Sequence, residues 1–179
     1  MAVNEEIFPR SLLETRFINK KINHMANNTE ILNDLIRINN DRVEGYSKAA
    51  NQAKDQDLQS LFSQFAQQSR QFANELRGLI NDVGNSEDRK DKVTDETTAS
   101  GKIYRTWMDV KATFSGGNRK SVLAACEFGE DAAQKAYRTA LEDNDLTANL
   151  RPVIESQKAT LLEAHDQVKM MRDTATVER

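Results

Sequence analysis

The stretch TEILNDLIRINNDRVEGYSKAANQAKDQDLQSLFSQFAQQSRQFANELRGLINDVG, residues 29–84, decides the fold. Thr29 is a good N-cap and Glu30 suits the positive end of a helix dipole. Leu32, Leu35, Asn39, Val43, Tyr46 and Ala50 then recur at the three-and-four spacing of one helix face. The pattern lapses at Lys54-Asp55-Gln56-Asp57 and resumes with Leu58, Leu61, Phe62, Phe65, Phe72, Leu76, Leu79 and Val83. Gly84 follows, in the place where a left-handed terminator is favoured. A turn this short between two long amphipathic helices makes them antiparallel neighbours.

The second half repeats the plan. A helix is expected over 118–143, with Val122, Cys126, Gly129, Ala133, Tyr137 and Ala140 on its apolar face. After the turn EDNDLT, another is expected over 147–173 with Leu150, Ile154, Leu161, Val168 and Met171, and Pro152 is tolerated in its first turns. Between the hairpins, residues 85–99 are almost wholly polar and read as an exposed connection. Ile103, Trp107, Val110 and Phe114 then mark a short amphipathic helix that Ser115-Gly116-Gly117 breaks. The reading is an all-α, ferritin-like four-helix bundle of two antiparallel hairpins joined by a long crossover carrying a short helix. Residues 1–28 form an N-terminal extension, a short helix around Leu12, Leu13, Phe17 and Ile18 or a mobile tail, and 29–175 form the bundle. Met25 opens a segment that itself reads like a start.

Composition narrows the function classes. The chain has 179 residues, a net charge of −3 and a pI near 5.5, so it offers no basic field for nucleic acid. Mean hydropathy is −0.71, and no apolar run approaches the ~20 residues of a membrane span. No secretory signal is visible, which points to the cytoplasm. One cysteine and two histidines exclude a disulfide framework and a His-rich metal centre.

Three segments carry a resemblance: LNDLIRINNDRVEGYSKAA, then RTWMDVKATFSGGNRKSVLAACEFGEDAAQKAYRTAL, then LEAHDQVKMMRD. Together they resemble a bacterial ferritin-like four-helix-bundle family of unknown function, a domain-of-unknown-function family, over about residues 29–173. The resemblance implies a fold and no activity, because fold does not carry function with it.

A di-iron bundle site needs a Glu from each of two helices and Glu-x-x-His from each of the other two. Neither His24 nor His165 follows a Glu by three residues. The chain offers only Asp41-x-x-Glu44, Glu127-x-x-Glu130 and Glu163-x-x-Asp166, with Glu75 on the second helix. At 100° per residue, Glu44 lies about 140° from Asn39, Glu127 about 120° from Ala133 and Asp166 about 140° from Leu161, so all three should face solvent. Glu130 and His165 fall at about 60° and 40°, on the flank of the core, and Glu75 at about 80° is marginal. If any metal binds, Glu75, Glu130 and His165 are its ligands, but three borderline groups do not make a di-iron site. The expectation is no metal, no cofactor and no catalytic residues, with Glu130 and His165 as a flank ion pair or satisfied polar groups. Cys126 reads as a small buried apolar group; a nucleophile role would need a nearby base, which His165 could supply if the third and fourth helices adjoin. Asn39 reads as a buried register-fixing hydrogen bond.

Two functions are open at this point. One is a non-enzymatic bundle acting through protein contacts, as a homo-oligomer or a stress-related accessory protein. The other is a metal-binding ferritin-like protein with a degenerate carboxylate/His site. Neither nucleic acid nor membrane is expected as a partner.

Overall fold

The protein's structure is a computed structural model that describes residues 10–83 and 118–175, with side chains over 24–80 and 118–175. Among these residues there are four helices and no strand: α1 Arg10–Gln52, α2 Gln56–Val83, α3 Arg119–Glu142 and α4 Arg151–Thr174. Gly84, the polar connection, the Trp107 segment and the Ser115-Gly116-Gly117 break lie outside the described residues.

Cross-helix bonds give the topology. Arg77 Nη2 donates to Asn40 Oδ1 and Arg70 Nη2 to Ser47 Oγ, so α1 and α2 run antiparallel. Gln134 Nε2 donates to the Lys158 carbonyl while Asp131 faces His165, so α3 and α4 do the same. α1 also packs on α3, with Asn39 against Tyr137 and Arg42 against Glu130. Gln157 of α4 reaches Glu75 of α2. The bundle is therefore two antiparallel hairpins laid side by side, as the periodicity required. Arg119 holds the start of α3 to the α1–α2 turn, bonding Asp55 at 2.9 Å and Asp57 at 2.9 and 2.5 Å. The end of α2 therefore lies a whole helix length from the start of α3.

The core is the union of the four stripes. Leu32, Leu35, Phe62, Leu76, Leu123, Leu150, Ile154 and Leu161 are fully buried. The α3 face is as read: Val122, Cys126, Gly129, Ala133, Tyr137 and Ala140 are all buried. On α1 the stripe is displaced by one residue. Val43 and Ala50 are half-buried, and Arg42 and Ala49 take the inner positions.

Two expected helix boundaries are corrected. α1 does not begin at Thr29; it begins at Arg10 and passes through Thr29, whose hydroxyl bonds back to the Met25 carbonyl. The polar run that looks like a cap is polar for another reason: it faces the α3–α4 turn. Asn27 Nδ2 reaches Asp143 Oδ1 at 3.3 Å. Asn28, fully buried, donates to the Asp145 carbonyl at 2.9 Å and accepts from the Thr147 amide at 3.0 Å. α4 begins at Arg151 rather than Thr147, because Pro152 sits at the first helical positions and 147–150 form a turn closed by Leu150 N–H to the Thr147 carbonyl. α3 is capped as read: Asn118 Oδ1 accepts from the Ser121 amide at 2.9 Å.

Asn28→Ala removes the two side-chain bonds that hold the backbone of the α3–α4 turn, which costs about 1–3 kcal/mol. In a chain of this size each kcal/mol moves the melting temperature by about 2–4 °C. A melt followed by circular dichroism should show that drop, and an unchanged midpoint would remove Asn28 from the account of how the turn is held.

Candidate functional site

The polar chemistry of the interior is gathered in one layer. Asn39, Arg42 and Tyr46 fall at three- and four-residue steps on α1 and so share a face. They meet Cys126, Glu130 and Tyr137 of α3 and Ser69 of α2. Arg42, Tyr46, Glu130, Asn39, Ser69 and Cys126 are all at zero relative exposure.

Glu130 is the centre of this layer. Its Oε1 accepts from Arg42 Nη2 at 2.6 Å, Arg42 Nε at 3.2 Å and the Tyr46 hydroxyl at 2.5 Å. Arg42 Nη1 donates to Ser69 Oγ at 2.6 Å, and Ser69 passes its own proton to the Phe65 carbonyl at 2.8 Å. The guanidinium also lies 5.5 Å from the Tyr46 ring centroid, and that ring stacks on Phe62 and meets Phe65 edge-on. Burial opposes the charge on Arg42, but Glu130, Tyr46 and Tyr137 together outweigh it and hold the guanidinium more firmly protonated than usual. Burial, then Glu130, pushes the Tyr46 hydroxyl and the Cys126 thiol well up. Both stay protonated. Glu130 Oε2 has no hydrogen-bond partner among the described residues.

A second chain of bonds lies beside the first. Asn39 Nδ2 donates to the Leu35 carbonyl at 2.8 Å and to Tyr137 Oη at 2.6 Å. Tyr137 donates to Gln157 Oε1 at 2.7 Å, and Gln157 Nε2 donates to Glu75 Oε2 at 2.7 Å. The buried hydrogen bond expected of Asn39 is present, and it ties α1 to α3, α4 and α2 through a single relay. Burial raises the Tyr137 hydroxyl, with the Asn39 bond pulling the other way.

The three residues named as possible ligands thus sit in three different networks. Glu130 belongs to Arg42, and Glu75 belongs to Gln157. His165 lies between helices α3 and α4, with Nε2 at 3.3 Å from Asp131 Oδ1 and 3.9 Å from Glu127 Oε1, and Nδ1 at 2.9 Å from Asp166 Oδ1. Among the described residues no group of three or more His, Cys, Asp and Glu side chains is arranged to hold a metal ion. Nor does His165 act on Cys126, since its ring nitrogens face carboxylates.

Two phase-based placements are corrected. Glu130 is not on the flank but fully buried, because Arg42 supplies its counter-charge from inside. Glu127 does not face solvent; it is 9% exposed, drawn in by Arg172 and His165 of α4. Asp166 is exposed as read. The sequence reading missed Arg42, Ser69 and Gln157. Spacing carried a signal for two of them: Arg42 lies three residues after Asn39 and four before Tyr46, and Gln157 three after Ile154 and four before Leu161.

Residues 27–143 match the family described as Domain of unknown function (DUF2383), and the protein belongs to that family. No curated protein matches the chain.

Two outcomes are expected. Arg42→Met, which leaves Glu130 buried and uncompensated, should cost about 3–5 kcal/mol in urea unfolding, and adding Glu130→Leu should recover most of it. A single variant within ~0.5 kcal/mol of wild type would show that the pair is not a closed core unit. Cys126, protonated and enclosed, should resist alkylation by iodoacetamide in the folded protein and react once it is unfolded; rapid native labelling would contradict its burial.

Proposed function

We propose that the protein is a non-enzymatic, ferritin-like four-helix-bundle protein that acts through protein contacts, as a homo-oligomer or as an accessory protein in the bacterial cytoplasm, with a stress-related role. The observation that supports this most directly is the pairing of Glu130 with Arg42. A metal in this layer would have to displace a guanidinium that already makes two bonds to the carboxylate. Burial and the Glu130 charge keep the Tyr46 hydroxyl and the Cys126 thiol protonated, which disfavours either as a nucleophile. The hairpin–crossover–hairpin order supports the ferritin-like assignment.

The alternative, a degenerate carboxylate/His metal site, draws on Glu130 Oε2, a buried carboxylate oxygen without a hydrogen-bond partner among the described residues. Elemental analysis decides between them. Protein purified gently without chelator should carry well under one iron, manganese or zinc per chain. About two metals per chain, lost on Glu130→Ala, would replace the first reading with the second.

A further inference from the structure

An open groove of about 510 Å³ runs along the outer surface where α1 meets α2. Val43 and Ala73 contribute its apolar floor, and Arg70 and Arg77 stand on its α2 side. Each arginine is held by neutral groups alone: Arg70 by Ser47 Oγ at 3.2 Å, and Arg77 by Asn74 Oδ1 at 2.9 Å and Asn40 Oδ1 at 3.1 Å. Neither has a carboxylate partner among the described residues. Three other surface arginines behave differently. Arg37, Arg119 and Arg172 are each neutralised by an Asp or Glu. Glu44, the one carboxylate in the lining, is itself engaged.

We infer that this groove is a docking surface for an acidic helix of a partner protein, one that presents two carboxylates seven residues apart. Arg70 and Arg77 are separated by seven residues of α2, about 10.5 Å along the axis. A helix lying parallel to α2 repeats that spacing at positions i and i+7, so each carboxylate meets one guanidinium fork. Asn40, Asn74 and Ser47 hold the forks across the groove before the partner arrives, which lowers the ordering cost of binding. The floor of Val43 and Ala73 suits small apolar side chains on the facing helix. An extended phosphate backbone would gain nothing from that floor.

The inference rests on the reading that the protein works through protein contacts. A failure here leaves that reading intact, whereas stoichiometric metal would overturn the reading whatever this groove does. The test uses the full chain and a fluorescein-labelled, alanine-based helical peptide carrying Glu at its fourth and eleventh positions. The control peptide has Gln at both. Expected results are saturable anisotropy binding by the Glu peptide, movement of the Arg70 and Arg77 Nε resonances on titration, and no binding by the Gln peptide. Arg70→Ala with Arg77→Ala, both exposed positions that circular dichroism should show leave the fold intact, should weaken binding by about tenfold or more. The inference is overturned if the Glu peptide does not bind at ~1 mM, if the double variant binds it equally well, or if phosphatidylserine-containing vesicles or single-stranded DNA bind these arginines in preference.

Discussion

A single buried ion pair, Arg42 with Glu130, organises the centre of this bundle. Placing a full positive and a full negative charge in an apolar interior costs several kcal/mol per ion unless each is met closely. The structure meets that demand with Arg42, Tyr46 and Ser69: Glu130 receives three donors, and Ser69 gives the guanidinium a second acceptor beside the carboxylate. Everything nearby has to conform. α1 must present position 42, rather than 43, to the interior. α3 must bring Glu130 to the level of Arg42, and α2 must place Ser69 opposite. An apolar core tolerates a helix sliding by a fraction of a turn; this layer does not, because a displaced helix would leave a buried charge alone.

The Asn39–Tyr137–Gln157–Glu75 relay extends the same logic to the fourth helix. Asn39 donates to Tyr137, Tyr137 to Gln157 and Gln157 to Glu75, so the relay closes only where all four helices meet at one level. Specificity of packing is the property best attested for such interior polar groups. It explains why a bundle with small residues such as Gly129 and Ala133 on α3, which by themselves would pack in several registers, has one. The two turns add to this at the ends: Arg119 clasps the α1–α2 turn, and Asn27 and Asn28 hold the α3–α4 turn.

This arrangement also shapes the functional argument. The interior carboxylate is spent on a guanidinium, and the interior hydroxyls and thiol are kept protonated by burial. Arg70 and Arg77, held by neutral groups alone among the described residues, are at the surface.

The sequence by itself determined the helices, the hairpins and most of the core, because a period of 3.6 residues records which face is buried whatever the helix packs against. It also determined Asn39, since one polar residue in an apolar stripe has few other uses. Only the tertiary structure decided the rest. Arg42 and Glu130 each look like surface residues on their own helices, and they become interior residues only because each finds the other 88 positions away. Glu127 turned inward for the same reason, through Arg172 of another helix. Asn27, Asn28 and Thr29 looked like a helix start because capping and turn-binding use the same short polar side chains, and only the approach of the α3–α4 turn shows which is at work. Helical phase is a property of one segment; the cost of burying a charge depends on its partner, and the partner is set by how the helices are assembled.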